Sequence, residues 1–151
     1  MGYDIHRLGP GRKLVIGGIE IPFPRGLVGH SDADVLIHAI IDALLGAFML
    51  GDIGRLFPDT DPTYRDIAST ELLSRVREKI APLGTIGYID STIVAEEPRM
   101  APHLEAMREK IAATLGVPAD KVSVKAKTSE RLGPVGERLA IEAYAIALAE
   151  R

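Results

Sequence analysis

With 151 residues and 16.2 kDa, 46% of them hydrophobic and 26% charged, the chain fits one globular domain (1–151) and excludes a disordered or fibrous protein. A formal charge of −3 and a pI near 5.8 leave no basic footprint for nucleic acid or an anionic membrane, so an anionic ligand must be held by local groups or metal ions. There is no cysteine, which excludes disulfides and thiolate metal sites, and the absence of Asn and Gln beside ten prolines suggests a heat-adapted, thermophile source.

The start of the chain, Met-Gly-Tyr-Asp-Ile-His, lacks the basic and apolar regions of a signal peptide. The longest apolar run, Val35 to Leu50, is interrupted by His38 and Asp42 and is short for a membrane span. A soluble, cytoplasmic protein is expected.

Lys13 to Ile21 holds two β-branched runs around Gly17-Gly18, a hairpin signal that Pro22 and Pro24 terminate. Val35 to Leu50 predicts a helix that is apolar nearly all round and therefore buried on most sides. Ser31 with Asp34 three residues later fits a capping box at its start, and Gly51 stops it. Asp52 to Pro62 reads as loop. Asp66 to Ala81 predicts a second helix, with Leu72, Leu73, Val76 and Ile80 at helical spacing. Ile86 to Ala95 reads as a strand, Pro102 opens a third helix closed by Gly116, and Val122 to Lys127 alternates as a strand. The tail, Arg138 to Glu150, is Ala-rich like a helix yet alternates like a strand. This order predicts an α+β fold with helices on one face of a sheet.

Asp4 and His6 stand at i and i+2, so in a strand both point to one side and reach one ion. His38, inside an otherwise apolar helix, needs a polar partner and is the third candidate ligand. One carboxylate and two imidazoles leave a coordination position open, the pattern of a catalytic zinc. Asp42, one turn from His38, is a candidate to orient it. The alternative is a core histidine paired with Asp42 and no metal. His30 and Ser31 precede a helix N-terminus, whose free N–H groups attract anions; plain capping by Ser31 is the alternative, and it leaves His30 unexplained. Asp52-Ile53-Gly54 and Phe57 to Asp61 form an acidic, turn-rich loop that composition alone reads as a solvated connection. Lys125 to Glu130 ends a strand with hydroxyls and a carboxylate. That is either an ordinary turn or a phosphate contact in which Glu130 holds magnesium, which takes few carboxylates beside substrate phosphates. His103 reads as surface.

Taken together, Gly2-Tyr-Asp-Ile-His6, Gly29-His-Ser-Asp-Ala-Asp34, His38 to Gly46, Gly51-Asp-Ile-Gly54, Leu56 to Asp61, Glu97 to His103 and Val124 to Gly133 resemble the 2-C-methyl-D-erythritol 2,4-cyclodiphosphate synthase family. The likeness runs over essentially the whole chain. It implies a mixed four-stranded sheet plus a small β-hairpin, with helices on one face and the sheets facing inward in a homotrimer. The reaction implied is cyclisation of 4-diphosphocytidyl-2-C-methyl-D-erythritol 2-phosphate with release of CMP, in the non-mevalonate isoprenoid pathway.

Carried over by position, Asp4, His6 and His38 are the ligands of Zn2+ (or Mn2+ or Co2+), and Glu130 serves a second ion, Mg2+ or Mn2+, between the substrate phosphates. His30 and Thr128 are the catalytic pair, with Ser31 in the same contact. Asp52, Ile53, Gly54, Phe57, Asp59 and Asp61 surround the methylerythritol diol. Ala95, Pro98, Met100 and Ala101 shape the cytidine pocket, and Lys127 and Ser129 flank Thr128. The implied partners are a cytidine diphosphate-linked small molecule and two further copies of the chain, with metal ligands and the Thr128–Glu130 side serving different subunits' pockets. The resemblance also turns the tail towards strand. Gly133-Pro-Val-Gly-Glu-Arg-Leu-Ala140 departs from the family's pattern and is about two residues shorter. Some relatives hold an isoprenoid diphosphate with an arginine there, which is not carried over; Arg138 is the candidate substitute. The rival readings are a metal-dependent phosphohydrolase and a non-catalytic trimeric binder of prenyl diphosphates.

Overall fold

The structure is a computed structural model and describes residues 1–150. Its spine is a five-stranded mixed sheet. The strands are β1 (Gly2–Gly9), β4 (Gly26–Val28), β5 (Thr85–Val94), β6 (Val122–Lys127) and β7 (Ala140–Glu150), in the order β4-β1-β7-β5-β6. The hairpin of β2 (Leu14–Ile16) and β3 (Ile19–Ile21) stands apart as a second, two-stranded sheet. Gly17 and Gly18 turn it with φ of 61° and 73°, the pair of positive values that a tight hairpin turn requires. The sheet therefore has one strand more than expected. The additional β4 is three residues long and contains one glycine, too short to show a period-two pattern.

β5 and β6 run parallel, and helix α4 (Leu104–Leu115) makes the crossover between them. The Ala-rich tail is the long central strand β7, antiparallel to both β1 and β5. Its alternation explains the choice: Ile141, Ala143 and Ala145 face the helices, whereas Glu142, Tyr144, Ile146 and Leu148 face away.

Helix α1 (Val35–Ala47) lies across β1 and β7 and buries nine of its thirteen residues, as an all-round apolar helix should. Its approach to β1 is close. A Cβ on Gly2 would stand 1.9 Å from the carbonyl oxygen of Ala39 and 2.7 Å from the amide of Ala43. Helix α2 (Ile53–Leu56) and a 3-10 turn at Pro62–Tyr64 interrupt the expected Asp52–Pro62 loop and the segment after it. Helix α3 (Ser69–Ile80) starts three residues later than expected, because Asp66 adopts a positive φ and gives its N–H to the His30 carbonyl. A single turn, α5 (Gly133–Gly136), precedes β7.

The N-cap of α1 is Asp34, not Ser31. Ala33 takes a positive φ, so the chain enters the helix later than the expected capping box. The buried Asp34 carboxylate accepts from the N–H groups of Ile37 (3.1 Å), Gly17 (2.9 Å) and Gly18 (2.7 Å), joining the hairpin turn to the helix start. Burial and the neighbouring Asp32 push this carboxyl up to about 6, against those three donors.

Substituting Gly2→Ala should move α1 off β1, because the obstacle is backbone and no rotamer change relieves it. The expected cost is about 3 kcal/mol. Thermal melting measures it, and a melting point equal to the parent's would show that the contact relaxes freely.

Candidate active site and metal centre

Strand β1 places Asp4 and His6 on the face that meets α1, and α1 brings His38 over them. Asp4 Oδ2 lies 2.9 Å from His6 Nε2 and 3.0 Å from His38 Nδ1, and the two ring nitrogens are 3.1 Å apart. Three potential ligand atoms thus converge in a triangle, the one such cluster among the described residues. Its edges approach the roughly 3.3 Å separation of ligands around a tetrahedral ion with bonds of 2.0–2.1 Å. The donor set fits a divalent ion of zinc type.

Each ring is oriented by its other nitrogen. His6 Nδ1 donates to the Val28 carbonyl at 3.0 Å, so Nε2 is the nitrogen turned to the triangle. His38 Nε2 faces Ser69 Oγ at 2.9 Å and Ser31 Oγ at 3.1 Å. Asp42 does not orient His38. It accepts from the Ile53 amide at 2.7 Å, one of the first-turn donors of α2 that have no intrahelical partner, while both His38 nitrogens are already engaged.

Burial raises the pKa of Asp4, but hydrogen bonds from His38 and His6 outweigh it and hold the carboxyl well below the usual range. His6 is moved the other way, up from 6.5: burial lowers it, and the bond and charge of Asp4 more than compensate.

A cavity of about 380 Å³ opens over the triangle, lined also by His30, Ser31, Gly54, Phe57, Asp59 and Tyr64 among others. Among the described residues no lysine or arginine lines it. At the α1 N-terminus Asp34 accepts the N–H of Ile37, and Ser31 accepts that of Ala33 in the turn before the helix. His30 is held from three directions: Asp66 N–H binds its carbonyl, and Arg12 donates to the carbonyls of Gly29 (3.3 Å) and Ser31 (2.6 Å) on either side. Phe57 and Tyr64 pack edge to face on the cavity wall, their centroids 5.3 Å apart.

Ile53 and Gly54 line the same cavity, whereas Asp52 and Asp61 turn their carboxylates to local backbone. Asp52 caps α2 through Arg55 N–H at 2.8 Å; Asp61 caps the 3-10 turn through Thr63 and lies below its ordinary pKa for that reason. Ala95, Pro98, Met100, Ala101, Lys127 and Thr128 line a second cleft of about 370 Å³ at the ends of β5 and β6. Glu130 accepts from Thr128 Oγ1 at 3.1 Å, and Ser129 closes the turn on the Leu132 carbonyl at 2.9 Å. Within one chain the expected site is therefore two clefts. The Arg138 guanidinium is 3.3 Å from Glu97 Oε1, on the loop that forms the second cleft.

Sequence reasoning did not single out Arg12, Tyr64 or Ser69, nor give Asp32 a role. Arg12 and Ser69 lie in the loop before the hairpin and at the head of α3, and no periodicity ties them to His30 or His38.

Fold and donor set together define an α+β protein with a possible Asp-His-His metal-binding group in a cleft between helix and sheet. The YgbB family model matches residues 1–150, and the chain belongs to that family. The chain is 57% identical to the 2-C-methyl-D-erythritol 2,4-cyclodiphosphate synthase of Burkholderia thailandensis, over 99% of this chain and 93% of that one. A solved structure of a 2C-methyl-D-erythritol-2,4-cyclodiphosphate synthase in a CDP-bound form superposes with a TM-score of 0.89 at 36% identity, over 99% of this chain and 97% of that one. The bifunctional IspDF from Campylobacter jejuni gives a TM-score of 0.91 at 38% identity, over 99% of this chain; the match spans only 41% of that longer chain.

In the metal-free protein the raised His6 contributes stability that is full below pH 6.5 and lost as pH rises through its folded value. The depressed Asp4 contributes stability that is present above pH 3.8 and lost as pH falls towards its folded value. The pair should therefore stabilise the metal-free protein most between these limits. Zinc affinity should rise with pH until His6 has lost its proton. Melting and zinc titrations from pH 5 to 8 test both slopes; flat zinc affinity would remove His6 from the ligand set.

Proposed function

We propose that this chain converts 4-diphosphocytidyl-2-C-methyl-D-erythritol 2-phosphate into 2-C-methyl-D-erythritol 2,4-cyclodiphosphate and CMP. The 2-phosphate oxygen attacks the β-phosphorus, and the bond from that phosphorus to the oxygen shared with the α-phosphate breaks, so CMP leaves with the electron pair. The observation that carries this reading is the Asp4–His6–His38 triangle at the floor of a cavity whose wall holds His30, in a chain 57% identical to a synthase named for that product.

The 2-phosphate is largely ionised at neutral pH, so no strong base is required. The protein must fold the substrate back on itself, a positioning effect worth about 7–11 kcal/mol in the best cases. Asp4, His6 and His38 would hold a zinc-type ion and Glu130 a magnesium-type ion shared with the phosphates, together supplying positive charge to phosphoryl oxygens. His30 stabilises charge on the transferred phosphoryl group from a loop that Arg12 and Asp66 hold still. Thr128 does the same from the second cleft, where its hydroxyl is paired with Glu130 before substrate arrives. Phe57 and Asp59 enclose the diol, and Ala95 to Ala101 form the wall for cytidine.

Two clefts in one chain ask for neighbouring subunits, and the sheet offers the surface. Helices cover one face; on the other, Ile146 and Leu148 are each 58% exposed, with Ile5, Tyr3, Tyr88 and Tyr144 near 40%. An apolar face of this kind marks an interface between proteins. Three copies with these faces inward would bring a first cleft of one subunit to a second cleft of the next. Cytoplasmic location belongs to the same proposal; among the described residues no helix is long and apolar enough to cross a membrane.

Turnover with zinc and magnesium should yield stoichiometric CMP and two coupled phosphorus signals from a cyclic diphosphate. Orthophosphate or an open product would instead identify a phosphohydrolase, and no CMP at all would leave a binder. His30→Ala should lower CMP formation about 10²–10³-fold with zinc affinity unchanged. Replacing Ile146 and Leu148 together by Asp should give monomers by light scattering that keep zinc and lose turnover. Trimers surviving that change would discard the sheet face as the interface.

A further inference from the structure

We propose that Asp32 and Ser69 are positioning residues for the metal centre, fixing which nitrogen of His38 is available to a cation. The proposal rests on the reading of Asp4, His6 and His38 as ligands and goes beyond it to groups outside the triangle.

One Asp32 carboxylate oxygen, Oδ2, accepts the Ser69 backbone N–H at 3.0 Å; the other, Oδ1, accepts the Ser69 hydroxyl in a short hydrogen bond and the Asp34 N–H at 3.2 Å. A carboxylate only accepts, so the hydroxyl hydrogen of Ser69 is committed to Asp32. Ser69 Oγ is left to accept, and its neighbour is His38 Nε2 at 2.9 Å. Nε2 therefore carries a hydrogen, and when a cation takes the place between Nδ1 and Asp4 Oδ2, which lie 3.0 Å apart, Nδ1 is left with the lone pair for it. Ser31 Oγ, 3.1 Å from the same Nε2, already accepts the Ala33 N–H and serves as a second acceptor. Ser69 is fully buried and Ser31 nearly so, so bulk water does not compete for the ring hydrogen.

Asp32 reaches this position because its own N–H donates to the Ile67 carbonyl, tying the loop before α1 to the head of α3. The N-cap position of α3 is Ala68, which has no side-chain acceptor, so Asp32 also stands in as the acceptor for the first N–H of that helix. The same carboxylate thus has an architectural use, which the test must separate from the one proposed.

Two substitutions do so. Ser69→Ala removes the acceptor of His38 Nε2 and retains the backbone N–H that anchors α3 on Asp32. Asp32→Asn disturbs the other end: both carboxylate oxygens accept a backbone N–H, so the amide must set its NH2 against the N–H of Ser69 or of Asp34, which loosens Ser69 from its place.

Zinc competition titrations should show about 10–100-fold weaker binding for both variants. The nitrogen–proton pattern of His38 by NMR at pH 8, with zinc bound, should place the hydrogen on Nε2 in the parent. Melting of the metal-free Ser69→Ala protein close to the parent's would separate the effect from loss of fold. Parent-like zinc affinity in Ser69→Ala, or a His38 hydrogen on Nδ1 in the zinc-bound parent, overturns the proposal. Failure of the parent itself to bind zinc would instead sink the metal-centre reading, and this inference with it.

Discussion

Helix α1 meets strand β1 backbone to backbone, and the candidate site depends on that contact. Gly2 has no side chain to hold the helix away, Ala39 and Ala43 are the helix residues nearest to it, and the inward positions of β7 are mostly alanines. Small groups on both surfaces let the helix settle low on the sheet. His38 then reaches Asp4 and His6, which point up from the strand below. The energy that keeps the helix there comes from its large side chains. Leu36, Ile37, Ile40, Ile41, Leu44 and Leu45 are fully buried, and burying each stabilises by about 1.5–3 kcal/mol. Against that sum, desolvating one carboxylate and two imidazoles at the seam is a tolerable local cost.

The charge of the first cleft follows from the same arrangement. A helix N-terminus beside a cavity would ordinarily attract a phosphate. Here Asp34 occupies it, binding the hairpin turn and the first helical turn with one carboxylate. Among the described residues no Lys or Arg lines the cavity, so they give it no permanent positive group, and the net charge of the chain is −3. An anionic substrate entering it depends on what Asp4, His6 and His38 hold. The nearby arginine, Arg12, is directed at backbone carbonyls and fixes His30 in place instead of offering charge.

How much of this was legible in the chain depended on the range of each interaction. The i, i+2 spacing of Asp4 and His6 and the single imidazole in an apolar helix were readable, because strand and helix periods decide which way side chains face. The hairpin at Gly17-Gly18 and the burial of α1 followed from equally local rules. The tail could not be assigned from composition: alanine favours helix, and only the sheet, which needs small residues beneath α1, explains why Ala143 and Ala145 belong to a strand. Ser31 as N-cap and Asp42 as the partner of His38 failed because each was claimed by a nearer backbone amide, Ala33 and Ile53. Asp32 and Ser69 could not be linked in advance, since nothing local joins residues 37 positions apart.

The two clefts carry a further constraint on assembly. β1 and β5 both run antiparallel to β7, so they point the same way; His6 lies opposite Ile141 and Val94 opposite Glu142. The triangle and the Ala95–Thr128 cleft therefore open at the same end of the sheet, on strands separated by β7 and β5. β1 and β6 are three strand spacings apart, roughly 14 Å, with the sheet twisting between them. A two-fold dimer pairs a patch with itself and would set like cleft against like. Joining unlike clefts requires a heterologous contact, in which the first cleft of one copy meets the second cleft of another. Such contacts leave unfilled half-sites at both ends of any open chain of subunits, and only a closed ring completes every site. The proposed trimer is a closed ring of this kind, and the apolar outer residues of β7 would lie along its axis.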